Sequence, residues 1–247
     1  MFSAEHFIWI AICAVMIGGL IIASIKWKFS FKTATWIMFG IALASEFCKL
    51  FTHMNYYEIS NDPLNVDGWY LLPKSLPLHL CSILVFFIIY FAFGKEGKLK
   101  QTMLNFFVPI GLCGGFLAIL FATSGTNFKE PYAYQCFIYH AGIMWYAIYL
   151  LMTKKVQIGI HEFIKNTILL FALAIIMIWV NSALMIYGVN FFFLVNPPAE
   201  GLPLLNLKHG WYAYFAHLCF CGLLLEFVVA LPRIIKEIKL KKLANEK

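Results

Sequence analysis

The sequence has 247 residues, of which 62% are hydrophobic and 13% charged, its net charge is +7, and its mean hydropathy is +0.80. Soluble domains are about half apolar and about a quarter charged, so this composition excludes a soluble domain and favours an integral membrane protein. No polar stretch is long enough to build its own core, and residues 1–247 are therefore predicted to form a single polytopic membrane domain.

Seven apolar runs are each close to the ~20 residues that cross a bilayer as an α-helix. In chain order they lie at about 7–25, 34–54, 76–93, 102–122, 133–152, 166–188 and 210–231. The ends of the last four are poorly marked, since apolar residues continue through 189–198. The first residues lack the basic segment of a signal peptide, so the first run is expected to remain in the mature protein. The predicted fold class is an all-α bundle of seven transmembrane helices.

Lysine and arginine are unevenly distributed between the connections. The first, third and fifth connections and the tail 232–247 carry most of them, whereas the other side has only Lys74, Lys129 and Lys208. The positive-inside rule then predicts an outside N-terminus and a cytoplasmic C-terminus with a basic tail. Topology and contact with anionic lipid account for the net charge of +7. No nucleic-acid partner is predicted, and no protein partner can be inferred.

The seven cysteines all lie inside apolar runs and form no CxxC pair, so they indicate no disulfide framework. Zinc would need ligands from several spans, such as His79, Cys81, His140 and His217, and no local spacing supports such a site. The sequence also contains no P-loop and no GxGxxG motif for a nucleotide or coenzyme A. No metal and no cofactor are predicted.

Polar side chains inside the predicted spans are the candidates for function, because ionisable groups at membrane depth are costly and mostly face a bundle interior. Several share one depth, about 8–12 Å below the outer boundary at 1.5 Å per residue. These residues are Glu46, Cys81, His140, Asn181 and His217, and the polar residues Lys49 and His79 lie on the same spans as Glu46 and Cys81. Glu46 and Lys49 are three positions apart and can pair on one helix face. Glu226 also lies in the last span. The competing interpretation is that such groups only hydrogen-bond helices together.

The segment "LPLHLCSI" (76–83) predicts a helix that starts just after Ser75, with Pro77 in its first turn, where proline is tolerated. Cys81 is the candidate nucleophile, because a thiolate attacks acyl carbonyls and forms a thioester. A buried thiol needs a neighbouring base. His79 is offset by two positions on the same helix, so His140 on another span is favoured as that base, although the choice between them stays open.

These residues resemble a known family. "PLHLCS" (77–82) together with "FIYHAG" (137–142) is similar to YwaF-type bacterial membrane proteins and their animal relative, transmembrane protein 164. The resemblance implies an acyltransferase that moves acyl chains between phospholipids through a membrane-embedded cysteine, with Cys81 as nucleophile and His140 as its base. It also implies a bacterial cytoplasmic membrane as the location.

The expected function is thus a phospholipid acyltransferase or transacylase, with membrane phospholipids as acyl donor and acceptor. In this interpretation Glu46 or Asn181 orients a histidine, while Lys49 or backbone N–H groups stabilise the oxyanion. The alternatives are a proton-coupled or small-solute transporter that uses the Glu, Lys and His layer, and a non-catalytic scaffold. The absence of a detectable internal repeat disfavours the transporter.

Overall fold

The computed structural model describes residues 3–57, 68–122, 125–198, 202 and 204–245, so both ends of the predicted domain lie just outside the described residues. Within these ranges the chain forms seven α-helices. They are α1 (Ala4–Lys26), α2 (Phe31–His53), α3 (Leu80–Phe93), α4 (Lys98–Phe121), α5 (Pro131–Met152), α6 (Ile160–Ala183) and α7 (Trp211–Asn245). The all-α architecture predicted from the apolar runs is confirmed.

Two short strands, which were not predicted, follow α2. Strand β1 (Met54–Tyr57) pairs antiparallel with β2 (Gly68–Leu71), with Met54 opposite Leu71. A 3₁₀ turn at Pro73–Ser75 then leads toward α3. The chain between α2 and α3 therefore holds a small β-ribbon at one end of the bundle.

Six of the seven helices are long and apolar enough to cross a membrane, and α3 is the exception. It has 14 residues, which gives about 21 Å of helix against a hydrocarbon core of about 30 Å. The integral-membrane prediction is supported, while the seventh crossing and the orientation of the termini stay predictions.

The predicted start of the third span was wrong. The helix begins at Leu80 with His79 as its N-cap, Pro77 lies in the preceding turn, and Ser75 ends the 3₁₀ turn instead of capping α3. Proline disfavours helical geometry in the residue before it, and Leu76 accordingly has an extended ψ of 146°. Residues 76–79 are thus non-helical, which membrane proteins tolerate where the backbone borders a cavity.

Two other boundaries differ from the prediction. Helix α6 begins earlier, at Ile160, because the Gly159 N–H donates to the Glu162 carboxylate at 3.3 Å and caps the first turn. It ends at Ala183, before 3₁₀ turns at Met185–Tyr187 and Phe191–Phe193. Helix α7 continues through Pro232 to Asn245, so much of the predicted basic tail is helical.

Helix α5 lies at the centre of the bundle and packs against α1, α2 and α4. Its buried aromatic side chains join it to the first two helices. Trp145 Nε1 donates to Ser24 Oγ at 3.1 Å, and the Tyr146 hydroxyl lies 2.7 Å from Thr35 Oγ1. On the α4 side, a Cβ at Gly115 would come within 3.0 Å of the His140 carbonyl oxygen, so the two backbones pack closely. Helices α6 and α7 pack on α4, and a cavity remains beside it.

Candidate functional site

A cavity of about 450 Å³ lies between the α3–α5 part of the bundle and helices α6 and α7. Most of its wall is apolar, with side chains such as Ile110, Leu117, Leu170, Phe171 and Leu218. Four of the predicted site residues also line it, namely Lys49, His79, Cys81 and His140. The structure therefore brings together, in one largely apolar space, the thiol and the histidine proposed for acyl transfer.

Cys81 is the second residue of α3, at a helix end without a side-chain cap. The His79 side chain makes no capping hydrogen bond, and the first bond of the helix runs from the Ile83 N–H to the His79 carbonyl at 2.9 Å. In the described chain the N–H groups of Leu80, Cys81 and Ser82 make no backbone hydrogen bond. Free N–H groups and the helix dipole together favour negative charge at such an end. This position suits a thiolate and an oxyanion.

His140 on α5 has a defined tautomer. Its Nδ1 lies 2.6 Å from the Cys136 carbonyl oxygen. Because a carbonyl oxygen can only accept, Nδ1 must carry the proton, and Nε2 keeps its lone pair. The Cys81 thiol lines the same cavity as this ring. The ring can therefore act as a base toward that thiol.

A second thiol, which the sequence analysis did not single out, also contacts this histidine. Cys136 Sγ lies 3.5 Å from His140 Nδ1. A signal for it was available, since Cys136 is one helical turn before His140. Both thiols line the cavity, but Cys136 is 3% exposed within the second turn of α5, whereas Cys81 is partly exposed at the start of α3. Of the two, only Cys81 lies at a free helix N-terminus.

The predicted pair of Glu46 and Lys49 is present on α2. Lys49 Nζ lies 2.7 Å from Glu46 Oε1 and donates to Ser82 Oγ at 3.3 Å. Lys49 is buried and lines the cavity, while Glu46 does not. The Lys49 ammonium, whose charge is balanced by the Glu46 carboxylate, therefore lies beside the first turn of α3.

Tyr139 is a further contact of this site that the sequence did not indicate. Its hydroxyl donates to the Cys81 carbonyl oxygen at 2.7 Å and so joins α5 to the first turn of α3. On the other side, a Cβ at Gly114 would lie 3.2 Å from Cys81 Sγ. The glycine leaves the space around the thiol open, and the tyrosine fixes the backbone that carries it.

The connection between α6 and α7 covers part of the cavity. Phe192 and Phe193 line it in a left-handed backbone conformation, with φ of 59° and 55°. Phe191 and Phe193 contact the His79 ring, with ring centroids 5.2 and 5.6 Å apart. Non-glycine residues are uncommon at such φ values and persist where surrounding contacts hold them. Phe191–Phe193 therefore form an aromatic cap over His79.

Besides Glu46, two more predicted site residues, Asn181 and His217, do not line the cavity. The Asn181 side chain is buried and binds the Phe191 backbone twice, donating to its carbonyl at 3.0 Å and accepting from its N–H at 2.9 Å. It thus holds the aromatic cap in place. His217 lies partly buried on α7 away from the cavity wall.

The chain matches the model of the TMEM164 family over residues 1–229. No curated protein and no solved structure matches it. Among the residues that the structure places, no group of three or more His, Cys, Asp or Glu side chains is arranged to hold a metal ion.

Proposed function

The chain belongs to the TMEM164 family, and from this membership and the geometry of the cavity we propose that it is a membrane-embedded phospholipid acyltransferase. Cys81 is the nucleophile and His140 the base. The observation that carries the proposal is the position of the Cys81 thiol, at the uncapped end of α3 and in the same cavity as a histidine whose Nδ1–H is held by a carbonyl.

In the first half-reaction, His140 Nε2 takes the proton of the Cys81 thiol. The thiolate attacks the carbonyl carbon of a phospholipid ester, and the negative charge that moves to the carbonyl oxygen is stabilised by free N–H groups at the start of α3. When the carbon–oxygen ester bond breaks, the leaving alkoxide of the lysophospholipid takes the proton from the imidazolium. A thioester on Cys81 results.

In the second half-reaction, the hydroxyl of an acceptor lysophospholipid gives its proton to His140 Nε2. Its oxygen attacks the thioester carbon, and the thiolate of Cys81 leaves and regains the proton. The apolar wall of the cavity supports transfer between lipids because it excludes water that would hydrolyse the thioester.

Lys49 and His79 have supporting roles in this mechanism. The Lys49 ammonium lies one hydrogen bond from Ser82, so its charge favours anionic species at the first turn of α3. Glu46 keeps it in place through the 2.7 Å pair. The His79 ring packs against Phe191 and Phe193, and it thereby holds the start of α3 against the connection between α6 and α7.

The decisive experiment incubates the purified protein with a phospholipid labelled in its acyl chain. We expect label on Cys81 that hydroxylamine removes, because hydroxylamine cleaves thioesters. Cys81→Ala should lose both the label and lipid-to-lipid transfer. Cys136→Ala is the matched control, since it removes the other thiol beside His140 and should keep the label.

The opposite pattern would refute the assignment. If Cys81→Ala retains full transfer, Cys81 only fills space in the bundle, and a transporter or a scaffold becomes the better interpretation. If the label moves to Cys136, the nucleophile was assigned to the wrong thiol.

A further inference from the structure

Glu226 of α7 lines the cavity and has no role in the mechanism above. The residue is 2% exposed, and its Oε2 accepts a hydrogen bond from Thr167 Oγ1 at 3.1 Å. The other oxygen, Oε1, is buried and has no hydrogen-bond partner in the described part of the chain. Since buried polar groups are almost always paired, this oxygen indicates an interaction that the protein alone does not supply.

The groups that face Glu226 are uncharged. From α4 comes the Cys113 thiol, which donates to the Leu225 carbonyl at 3.7 Å. From α6 come the Thr167 hydroxyl and the Asn166 amide. On α7 itself, Arg233 is two turns away and pairs with Glu237 at 3.1 Å. Among the described residues no ion pair reaches Glu226, and a buried carboxylate without a cation is far costlier than a neutral carboxyl.

We propose that Glu226 is protonated and that its Oε1–H donates a hydrogen bond to a carbonyl oxygen of a lipid in the cavity. In the neutral carboxyl, Oε2 is the carbonyl oxygen that accepts from Thr167, and Oε1 is the hydroxyl that remains free to donate. The apolar wall around it selects an uncharged acceptor, and an acyl ester presents such a carbonyl. This inference rests on the proposed function in taking an ester lipid as the ligand.

Glu226 and Cys81 line the same cavity, and both lie against α4. A Cβ at Gly114 would be 3.2 Å from Cys81 Sγ, and the preceding residue, Cys113, donates to the carbonyl of Leu225, the neighbour of Glu226. One glycerolipid in this cavity can therefore present one ester to Cys81 and another to Glu226.

The binding test uses Cys81→Ala protein, so that no turnover occurs. A diacyl phosphatidylcholine and its diether analogue, which lacks both carbonyl oxygens, each compete with a fluorescent lipid in detergent. We expect the diester to bind about fivefold to tenfold more tightly, as for one or two hydrogen bonds. Adding Glu226→Leu should remove most of this preference. Adding Glu226→Gln should retain it, since the amide NH₂ donates while its carbonyl accepts from Thr167.

Two outcomes of the binding test overturn the proposal. An unchanged ester preference in the Glu226→Leu protein means that the carboxyl does not contact the ester. A preference lost equally in the Glu226→Gln protein means that negative charge, and not a donated hydrogen, is required.

Infrared spectroscopy tests the proton directly and does not depend on the Leu variant folding. The difference spectrum of the Cys81→Ala protein and its Glu226→Gln derivative should contain the C=O stretching band of a protonated carboxyl. That band should shift when the diester is added but not when the diether is added. Its absence at neutral pH overturns the proposal. Both readouts are made without catalysis, so failure of the Cys81 thioester assay would leave them intact.

Discussion

The two walls of the cavity are built differently. In the spanning windows of α4 and α5, 56% and 61% of the residues are buried, against 11% and 17% in α6 and α7. The α4–α5 side carries His140 and Tyr139, and its packing is tied by buried hydrogen bonds such as that of Trp145. The α6–α7 side leaves most of its surface for lipid. The proposed base His140 therefore lies on the more buried wall, and the proposed nucleophile Cys81 lies on α3, packed against Gly114 of that wall.

The largest expected effect comes from the reacting pair, Cys81 on α3 and His140 on the more buried α4–α5 wall. Cys81→Ala and His140→Ala should each lower lipid-to-lipid acyl transfer by about a thousandfold or more, and the double variant should be no worse than either single one. The reason is that the two side chains act as one unit. Initial rates in liposomes with a labelled donor measure this, and multiplicative losses would contradict a shared step.

A smaller loss is expected from narrowing the space beside the thiol. In Gly114→Ala the new Cβ would lie 3.2 Å from Cys81 Sγ, so the thioester would be crowded and transfer should fall by about tenfold. Gly40→Ala on α2 is the matched control, because its Cβ would meet nothing within 4 Å. Equal activity in both variants would show that the acyl group does not pass Gly114.

Tyr139→Phe tests how the α4–α5 wall positions Cys81, because it removes one hydrogen bond to α3 and keeps the shape of the ring. The variant loses the 2.7 Å hydrogen bond to the Cys81 carbonyl, which positions the first turn of α3. One such bond is worth about 0.5–1.5 kcal/mol, so kcat should fall by about twofold to tenfold with little change in KM. A change confined to KM would instead place the tyrosine in lipid binding.

The smallest catalytic effect is expected on the lipid-facing wall. Asn181→Leu removes both hydrogen bonds to Phe191 and frees the aromatic cap. We expect the free energy of unfolding to fall by about 1–3 kcal/mol, since the Phe191 backbone groups lose their partner. Thermal unfolding in detergent measures the stability. In the acyl-transfer assay KM should change more than kcat, because Phe192 and Phe193 line the cavity but take no part in the reaction. A loss of kcat as large as that of His140→Ala would move Asn181 into the reacting group.

The sequence alone determined the class of the protein and the region of its site. A composition of 62% hydrophobic residues with apolar runs near bilayer length permits only a membrane protein of helices, because a spanning backbone must satisfy its own hydrogen bonds. Rise along a helix also fixes depth, which is why Cys81 and His140 could be assigned to one layer.

Only the tertiary structure decided which of these side chains face one another. Position along a helix gives depth, but the direction in which a side chain points depends on how the helices pack. Asn181 and His217 therefore share the predicted depth without lining the cavity, whereas Cys136 does line it. The setting of Glu226, with one oxygen bound to Thr167 and the other unpaired, likewise follows from the packing of α6 on α7, which no local pattern records.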